Sequence, residues 1–170
     1  MTDSGKTQAK PEIRVRRAAL GDAEWIFSLI GRNTDRLVPR SLGSVVEAID
    51  RFCIAEAGGL PAGCAAYQIH PEIGVPEAAT VEIVSLAVDE PFRRMGVGRA
   101  LVGEIIGRVR AFGPRETVVL TYVPDFFAAI GFREMPKTKI MHKLYTGCMN
   151  CTKHADPFTC PETAMVLENR

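Results

Sequence analysis

Residues 93–99 read Arg-Arg-Met-Gly-Val-Gly-Arg, a composition suited to binding a polyanion. Glycines at 96 and 98 let the backbone approach a ligand closely. A helical pattern begins at the same point, so its unpaired N–H groups and the positive end of its dipole face the turn. Arg93, Arg94 and Arg99 add cationic contacts. A pyrophosphate fits such a turn, and an ordinary Gly-rich turn with solvated arginines is the alternative. A Rossmann fingerprint needs a small residue where Leu101 stands, and a Walker A loop ends in Gly-Lys-Ser/Thr, which this turn lacks. The Gly5-Lys6-Thr7 run has too little chain before it to form that loop.

A second chemical cluster lies near the end of the chain. Cys148, Cys151 and Cys160 follow a C-x2-C-x8-C spacing, with His154 between them. Thiolate and imidazole suit zinc, and a tetrahedral site closed by His154, or by His142 in its place, would be structural because no coordination position stays open. Three reduced cysteines in a loop are the alternative. Cys53 and Cys64 fall in strand patterns and read as small core residues.

The elements that must position these groups follow from periodicity. Alternation marks a strand at 13–16, and Trp25, Ile26, Leu29 and Ile30 recur at helical spacing over 23–30. Residues 44–52 read as a short helix with Ser44 as N-cap. Strands at 53–57 and 62–69 are joined by Gly58-Gly59-Leu60-Pro61, a hairpin turn. The longest strand covers 79–88. From about Gly98 to Phe112 a helix buries Val97, Leu101, Ile105, Val109 and Phe112, and Gly103 and Gly107 let it lie close to the sheet. A strand at 117–121 precedes a short helix opened by Pro124-Asp125 and stopped by Gly131, before Phe132-Arg133-Glu134 extends again. Residues 137–161 are mixed and cysteine-bearing, and 164–167 close the chain as a strand. Strands and helices interleave, so the class is mixed α/β.

With 170 residues, 46% of them hydrophobic, the chain suits one globular domain over 12–170. Residues 1–11 read as a short disordered segment. A net charge of +1 gives no basic field of the kind that accompanies nucleic-acid binding, so small molecules are the expected partners. No apolar run reaches the length of a membrane span and no signal peptide is visible, which points to the cytoplasm and to no membrane partner. Five cysteines without an export signal argue against a disulfide framework.

The order of strand, Arg-x-x-Gly-x-Gly, long helix, strand and Phe126-Phe127-Ala128-Ala129-Ile130-Gly131-Phe132 resembles the Gcn5-related N-acetyltransferase superfamily over residues 13–168. Leu37-Val38-Pro39-Arg40-Ser41, Val81-Glu82-Ile83 and Leu120-Thr121-Tyr122 resemble more closely the amino-acid acetyltransferases that include N-acetylglutamate synthase, in their short single-domain form. The resemblance implies an α/β fold with a mixed sheet of about six to seven strands, splayed at an acetyl-CoA cleft and flanked by about four helices.

It also implies roles. Acetyl-CoA would be the co-substrate, its pantetheine pairing with backbone near Leu86, Ala87 and Val88 and its pyrophosphate on Arg93, Arg94, Met95, Gly96, Val97, Gly98 and Arg99. Attack would be direct, in a ternary complex. Glu82 would be the base; it alternates with Val84, Leu86 and Val88 on one strand face, where burial raises a carboxyl pKa. An edge-strand carboxylate paired with an arginine is the plainer reading of that residue. Phe127 takes the place of the family's acidic tyrosine, which leaves Tyr122 as the candidate acid. Arg40 with Ser41 is the candidate clamp for an amino-acid carboxylate, and Arg36, Lys139 and Lys143 are available for a second one. The acceptor is then the α-amine of a small amino acid, glutamate first. Another amine, a polyamine or a protein N-terminus is the alternative, and a non-catalytic acyl-CoA-binding or metal-responsive module is the alternative from another class. The cysteine-bearing insertion at 137–161 would brace a lid over the acceptor. A homodimer is compatible with the family.

Overall fold

Seven strands form one sheet in the order β1-β2-β3-β4-β5-β7-β6. The strands are β1 (Ile13–Arg17), β2 (Phe52–Ala57), β3 (Leu60–His70), β4 (Thr80–Val88), β5 (Glu116–Thr121), β6 (Arg133–Glu134) and β7 (Thr163–Glu168). The helices are α1 (Ala23–Gly31), α2 (Leu42–Glu47), α3 (Val97–Arg110) and α4 (Pro124–Ala128), with a short α5 (Met141–Lys143) between a 3-10 turn (Lys137–Ile140) and a π turn (Leu144–Cys148). The computed structural model describes residues 11–72, 74–148 and 151–169, apart from the side chains at 142, 145 and 146. The disordered start expected at 1–11 falls, except for Pro11, outside the described residues. No described helix is long and apolar enough to cross a membrane.

All strand pairs are antiparallel except β4 with β5, which run parallel and pair only at Thr80–Glu116, Val81–Thr117 and Glu82–Val118. Beyond Glu82 the two strands separate, while β4 continues against β3 and β5 continues against β7. The expected splay is therefore present, and it starts at Glu82. The β2–β3 turn is tighter than its sequence suggests: Gly58 and Gly59, with φ of 58° and 81°, make the whole connection. Two positive φ values match the hairpin turn that follows strand twist, and glycine adopts them without strain.

A bulge in β4 changes which side chains share a face. Cys64 pairs with Ala87 but Ala66 with Val84, so Ser85 and Leu86 together oppose one residue of β3, and Ser85 takes φ of 55°. An extra residue reverses the alternation beyond it. Val81 and Ile83, then Leu86 and Val88, pack toward α3, whereas Val84 and Ala87 pack toward α1 and α2. Glu82 thus shares its face with Val84 and Ala87, and the expected grouping with Leu86 and Val88 is corrected.

Three further expectations are revised. The helix expected at 44–52 is α2 capped by Ser41, whose Oγ accepts from Ser44 N at 3.1 Å, and Phe52 already opens β2, where it is fully buried. Phe112 lies beyond α3, 55% exposed, with its ring 5.7 Å from that of Tyr67. Gly103 and Gly107 face open space. The close helix–sheet approach lies instead at Gly63 of β3, where a Cβ would meet Ala87 O at 2.8 Å, Val97 Cγ1 at 2.9 Å and Leu101 Cδ1 at 3.1 Å. Gly63→Ala is expected to destabilise the protein by roughly 1–3 kcal/mol through overpacking; chemical denaturation measures it, and an unchanged midpoint would show that α3 does not press on the sheet there.

Candidate functional site

Where β4 and β5 part, a cleft of about 870 Å³ opens, lined by both strands, the turn before α3, the 35–40 segment and Lys143. Its chemistry divides between a mouth at α3 and an interior around Glu82.

At the mouth, Gly96 takes φ of 98° and precedes α3 without any side-chain cap, and Ala100 N is bonded back to Gly96 O at 3.0 Å. The N–H groups of the first turn are therefore available to a ligand. Arg94, itself at φ of 64°, and Arg99 are exposed at this rim, and Arg93 reaches back to Asn33 Oδ1 at 3.1 Å. Gly98 faces Phe126: a Cβ there would lie 3.2 Å from the ring, so glycine leaves the space between α3 and α4 open. Of the expected turn residues all but Met95 line the cleft, as do Leu86, Ala87 and Val88. An uncapped helix start edged by arginines and opening on a strand with one free edge fits a pyrophosphate joined to an extended amide-bearing arm.

In the interior, Glu82 is 6% exposed and both its oxygens are engaged: Oε2 accepts from His70 Nε2 at 2.8 Å and Oε1 faces Lys143 Nζ at 3.1 Å. The arginine partner of the plainer reading is replaced by this lysine and histidine. Register explains His70, because Gln68 opposes Glu82 and His70 lies diagonally beside it on the same face. Lys143 arrives from the insertion, whose Ile140 and Leu144 pack on Val118, Ala164 and Val166 and so hold it over the same sheet face. Burial alone would lower the Lys143 pKa, but the Glu82 carboxylate and the Cys148 sulfur outweigh it and hold the ammonium above the ordinary lysine value. Neither partner was legible as such in the sequence. His70 carries only the signal of a histidine in a strand, and Lys143 was one of several unplaced cations.

Arg40 enters the cleft from the 35–40 segment. Its Nε donates to Ser85 Oγ at 2.8 Å and its guanidinium lies 5.8 Å from the Phe52 ring centroid. Burial, then the neighbouring Arg51, depress its pKa, with Glu82 acting in the opposite sense. Among the described residues no carboxylate forms an ion pair with it. Ser41, paired with it in the sequence, is the cap of α2 and does not line the cleft. Arg36 lines the mouth, exposed, whereas Lys139 is exposed outside it.

Tyr122 lines the β5 side, and its hydroxyl shares a 2.9 Å hydrogen bond with His154 Nε2 while Lys153 stacks on its ring at 5.3 Å. Burial, then Glu162, Cys160 and Cys151, raise its pKa, so the phenol keeps its proton near neutrality. The zinc cage expected from the cysteine spacing is not assembled: the described residues contain no group of three or more such ligands. Three of the four candidate ligands have turned elsewhere, Cys148 Sγ to Lys143 at 3.1 Å, Cys160 Sγ to Glu162 at 3.6 Å and His154 to Tyr122. The His142 side chain lies outside the described residues. Cys53 and Cys64 are core residues as expected, their thiols pushed by burial up to about 11 and about 12.

Comparison with known proteins bears on this geometry. The model of the acetyltransferase (GNAT) family matches residues 24–134. An uncharacterized N-acetyltransferase of Chlorobaculum tepidum is 34% identical over 158 residues, covering 89% of this chain and 94% of its own length. An amino-acid acetyltransferase of Mycobacterium tuberculosis is 29% identical, with 77% of this chain and 74% of that protein covered. Against amino-acid acetyltransferases of Pseudomonas syringae, 33% identical, the chain spans only 24% of their length. Among solved structures, a Mycobacterium tuberculosis protein in complex with CoA and NLQ superposes with a TM-score of 0.75 at 24% identity, covering 91% of this chain and 98% of that one. Neisseria gonorrhoeae N-acetylglutamate synthase complexed with coenzyme A and N-acetylglutamate gives 0.74 at 24% identity, covering 95% of this chain and 36% of that one.

The buried Lys143–Glu82 contact has a measurable consequence. Removing one member of a buried pair strands the other, so Lys143→Met is expected to cost roughly 3–5 kcal/mol in chemical denaturation at pH 8. Because the folded-state pKa of Lys143 is raised, its contribution is complete below the unfolded value of about 10.4 and is lost as pH climbs past it. The wild-type advantage over Lys143→Met should therefore shrink as pH rises above about 10.4; an advantage that stays constant as pH rises past it would contradict the pair.

Proposed function

The chain belongs to the acetyltransferase (GNAT) family and is an N-acetyltransferase; on that premise we propose that it transfers acetyl from acetyl-CoA to the α-amine of a small amino acid, with L-glutamate as the preferred acceptor. The observation that carries the acceptor class is Arg40, a half-buried guanidinium in the cleft wall with a hydroxyl and an aromatic ring as its contacts and no paired carboxylate among the described residues. A free α-carboxylate is the anion such a fork binds bidentately. Support for an amino acid comes also from the relatives named amino-acid acetyltransferase and from the neighbour complexed with N-acetylglutamate.

Acetyl-CoA, when bound, supplies the acetyl group as a thioester. The α3 first turn and the rim arginines hold the anionic end, and the free edge of β4 beyond Glu82 receives the arm. Arg40 fixes the acceptor carboxylate, which places the α-nitrogen on the Glu82 side of the cleft. Glu82, its orientation set by His70 and Lys143, takes the ammonium proton directly or through one water. Backbone N–H near Leu86 or Val88 stabilises the developing oxyanion. Tyr122, protonated and supported by His154, supplies a proton on the leaving-group side.

Turnover with acetyl-CoA and a panel of free amino acids, an N-terminal peptide and a polyamine tests the reading by mass detection of the acetylated product. L-Glutamate should exceed every other acceptor by at least about tenfold in kcat/KM, the scale of one charge-assisted contact; preference for the peptide or polyamine would overturn it. Glu82→Gln should lower kcat by about 10²–10⁴ with the acetyl-CoA KM little changed. Arg40→Gln should instead raise the amino-acid KM by about 10–100-fold, and an unchanged KM would remove Arg40 from the acceptor site.

A further inference from the structure

A second cavity, of about 180 Å³, adjoins the cleft at Arg40. Its polar wall is made by Arg40, Ser44, Glu47, Arg51, Tyr67 and Gln68, and three of these, Arg40, Ser44 and Gln68, line the cleft as well. Strand pairing makes the space. β2 pairs with β3 only as far as Phe52 opposite Ala66, so beyond that point Tyr67–His70 keep β4 on one side and pair with no described strand on the other. The 3-10 turn Ile49–Arg51, which leads into β2, and α2 border the gap. Gln68 opposes Glu82 and so shares its sheet face. Gln68 and Arg40 therefore stand between the Glu82 end of the cleft and Arg51.

Two guanidiniums face this one small space. Burial first, and then Arg51, depress the Arg40 pKa, so each cation feels the other. Arg51 Nε lies 3.8 Å from Asp50 Oδ1, and that carboxylate is 80% exposed, a pair that offsets little of the charge. Glu47, exposed at the rim, forms no ion pair with either arginine among the described residues. Lys143, the other cation in the cleft interior, is engaged by Glu82.

The geometry points to this second cavity as the subsite for the acceptor's side-chain carboxylate, with Arg51 as the residue that selects a dicarboxylic amino acid and Gln68 as an amide donor at its entrance. The inference rests on the proposed seating of the α-carboxylate on Arg40. With the α-nitrogen toward Glu82 and the α-carboxylate on Arg40, the side chain has the adjoining cavity as its polar outlet. A carboxylate seated there offsets the repulsion between the two arginines and meets Arg51 as a charge-assisted pair. A carboxamide of the same shape brings no charge and turns N–H donors toward a group that only donates, so glutamine is disfavoured.

Steady-state turnover of L-glutamate and L-glutamine at saturating acetyl-CoA, read by mass detection of each product, tests the subsite. Calorimetric binding of N-acetyl-L-glutamate and N-acetyl-L-glutamine in the presence of coenzyme A gives a readout independent of turnover. Arg51→Gln should lower the glutamate-over-glutamine ratio of kcat/KM by about tenfold or more, through the glutamate KM rather than kcat, and should weaken N-acetyl-L-glutamate binding by the same factor. Arg51→Lys, which keeps the charge, should recover part of the loss. Glu47→Gln removes a competing carboxylate and should move the ratio the other way. Arg40→Gln should raise both KM values together, because both acceptors carry the same α-carboxylate. If Arg40→Gln behaves so while Arg51→Gln leaves the ratio unchanged, by affecting both acceptors alike or neither, the subsite is overturned and the acceptor reading stands. Turnover of neither amino acid, or KM values indifferent to Arg40→Gln, would overturn the acceptor reading and the subsite with it.

Discussion

Strand β4 has a neighbour on both sides at Thr80–Glu82 and on one side only from Ile83 onward. Backbone N–H and C=O groups turned toward the missing neighbour must be satisfied by something, and a parallel strand cannot rejoin without a long crossover. That open edge is the constraint around which the rest is arranged. It produces the cleft, places Glu82 at the point where the strands part, and leaves β5 to pair onward with β7. The bulge at Ser85 belongs to the same device, since it reverses the alternation of β4 and puts the Ser85 hydroxyl against Arg40. Helix α3 then begins at the open end of the split, where its first turn has no side-chain cap.

Burying a carboxylate at the head of such a cleft is costly unless it is paired. Lys143 and His70 provide the pairing from two directions, one through the insertion after β6 and the other through β3. The insertion is therefore tied to the cleft electrostatically as well as through the apolar seat of Ile140 and Leu144. A carboxylate held between two donors has a fixed orientation, and the proposed role of Glu82 as base depends on it.

Much of this was legible in the chain. The turn at 93–99 is readable because glycine spacing, arginines and the change from strand to helix period coincide within a few residues. The strands are readable because alternation and turn residues agree, and the Gly58-Gly59 hairpin is nearly dictated by its turn chemistry. Facing on β4 was not, because nothing in Glu-Ile-Val-Ser-Leu-Ala-Val announces the extra residue at Ser85; the bulge exists only relative to β3. His70 and Lys143 join Glu82 through register and through packing of a distant insertion, and neither leaves a local pattern. The cysteine spacing forms no ligand group among the described residues for a related reason. Spacing fixes which ligands can meet, but the fold turned Cys148, His154 and Cys160 toward Lys143, Tyr122 and Glu162. Ser41 was similarly claimed by a local need, the first turn of α2.

The most direct test of the account is a crystal structure of the protein with coenzyme A and N-acetyl-L-glutamate. The coenzyme arm should lie between β4 and β5 beyond Glu82, with its pyrophosphate on the first turn of α3. The product's α-carboxylate should sit about 3 Å from the Arg40 guanidinium, and its amide nitrogen should face Glu82. An arm bound outside the split, or a carboxylate held elsewhere with Arg40 still turned to Ser85, would contradict it.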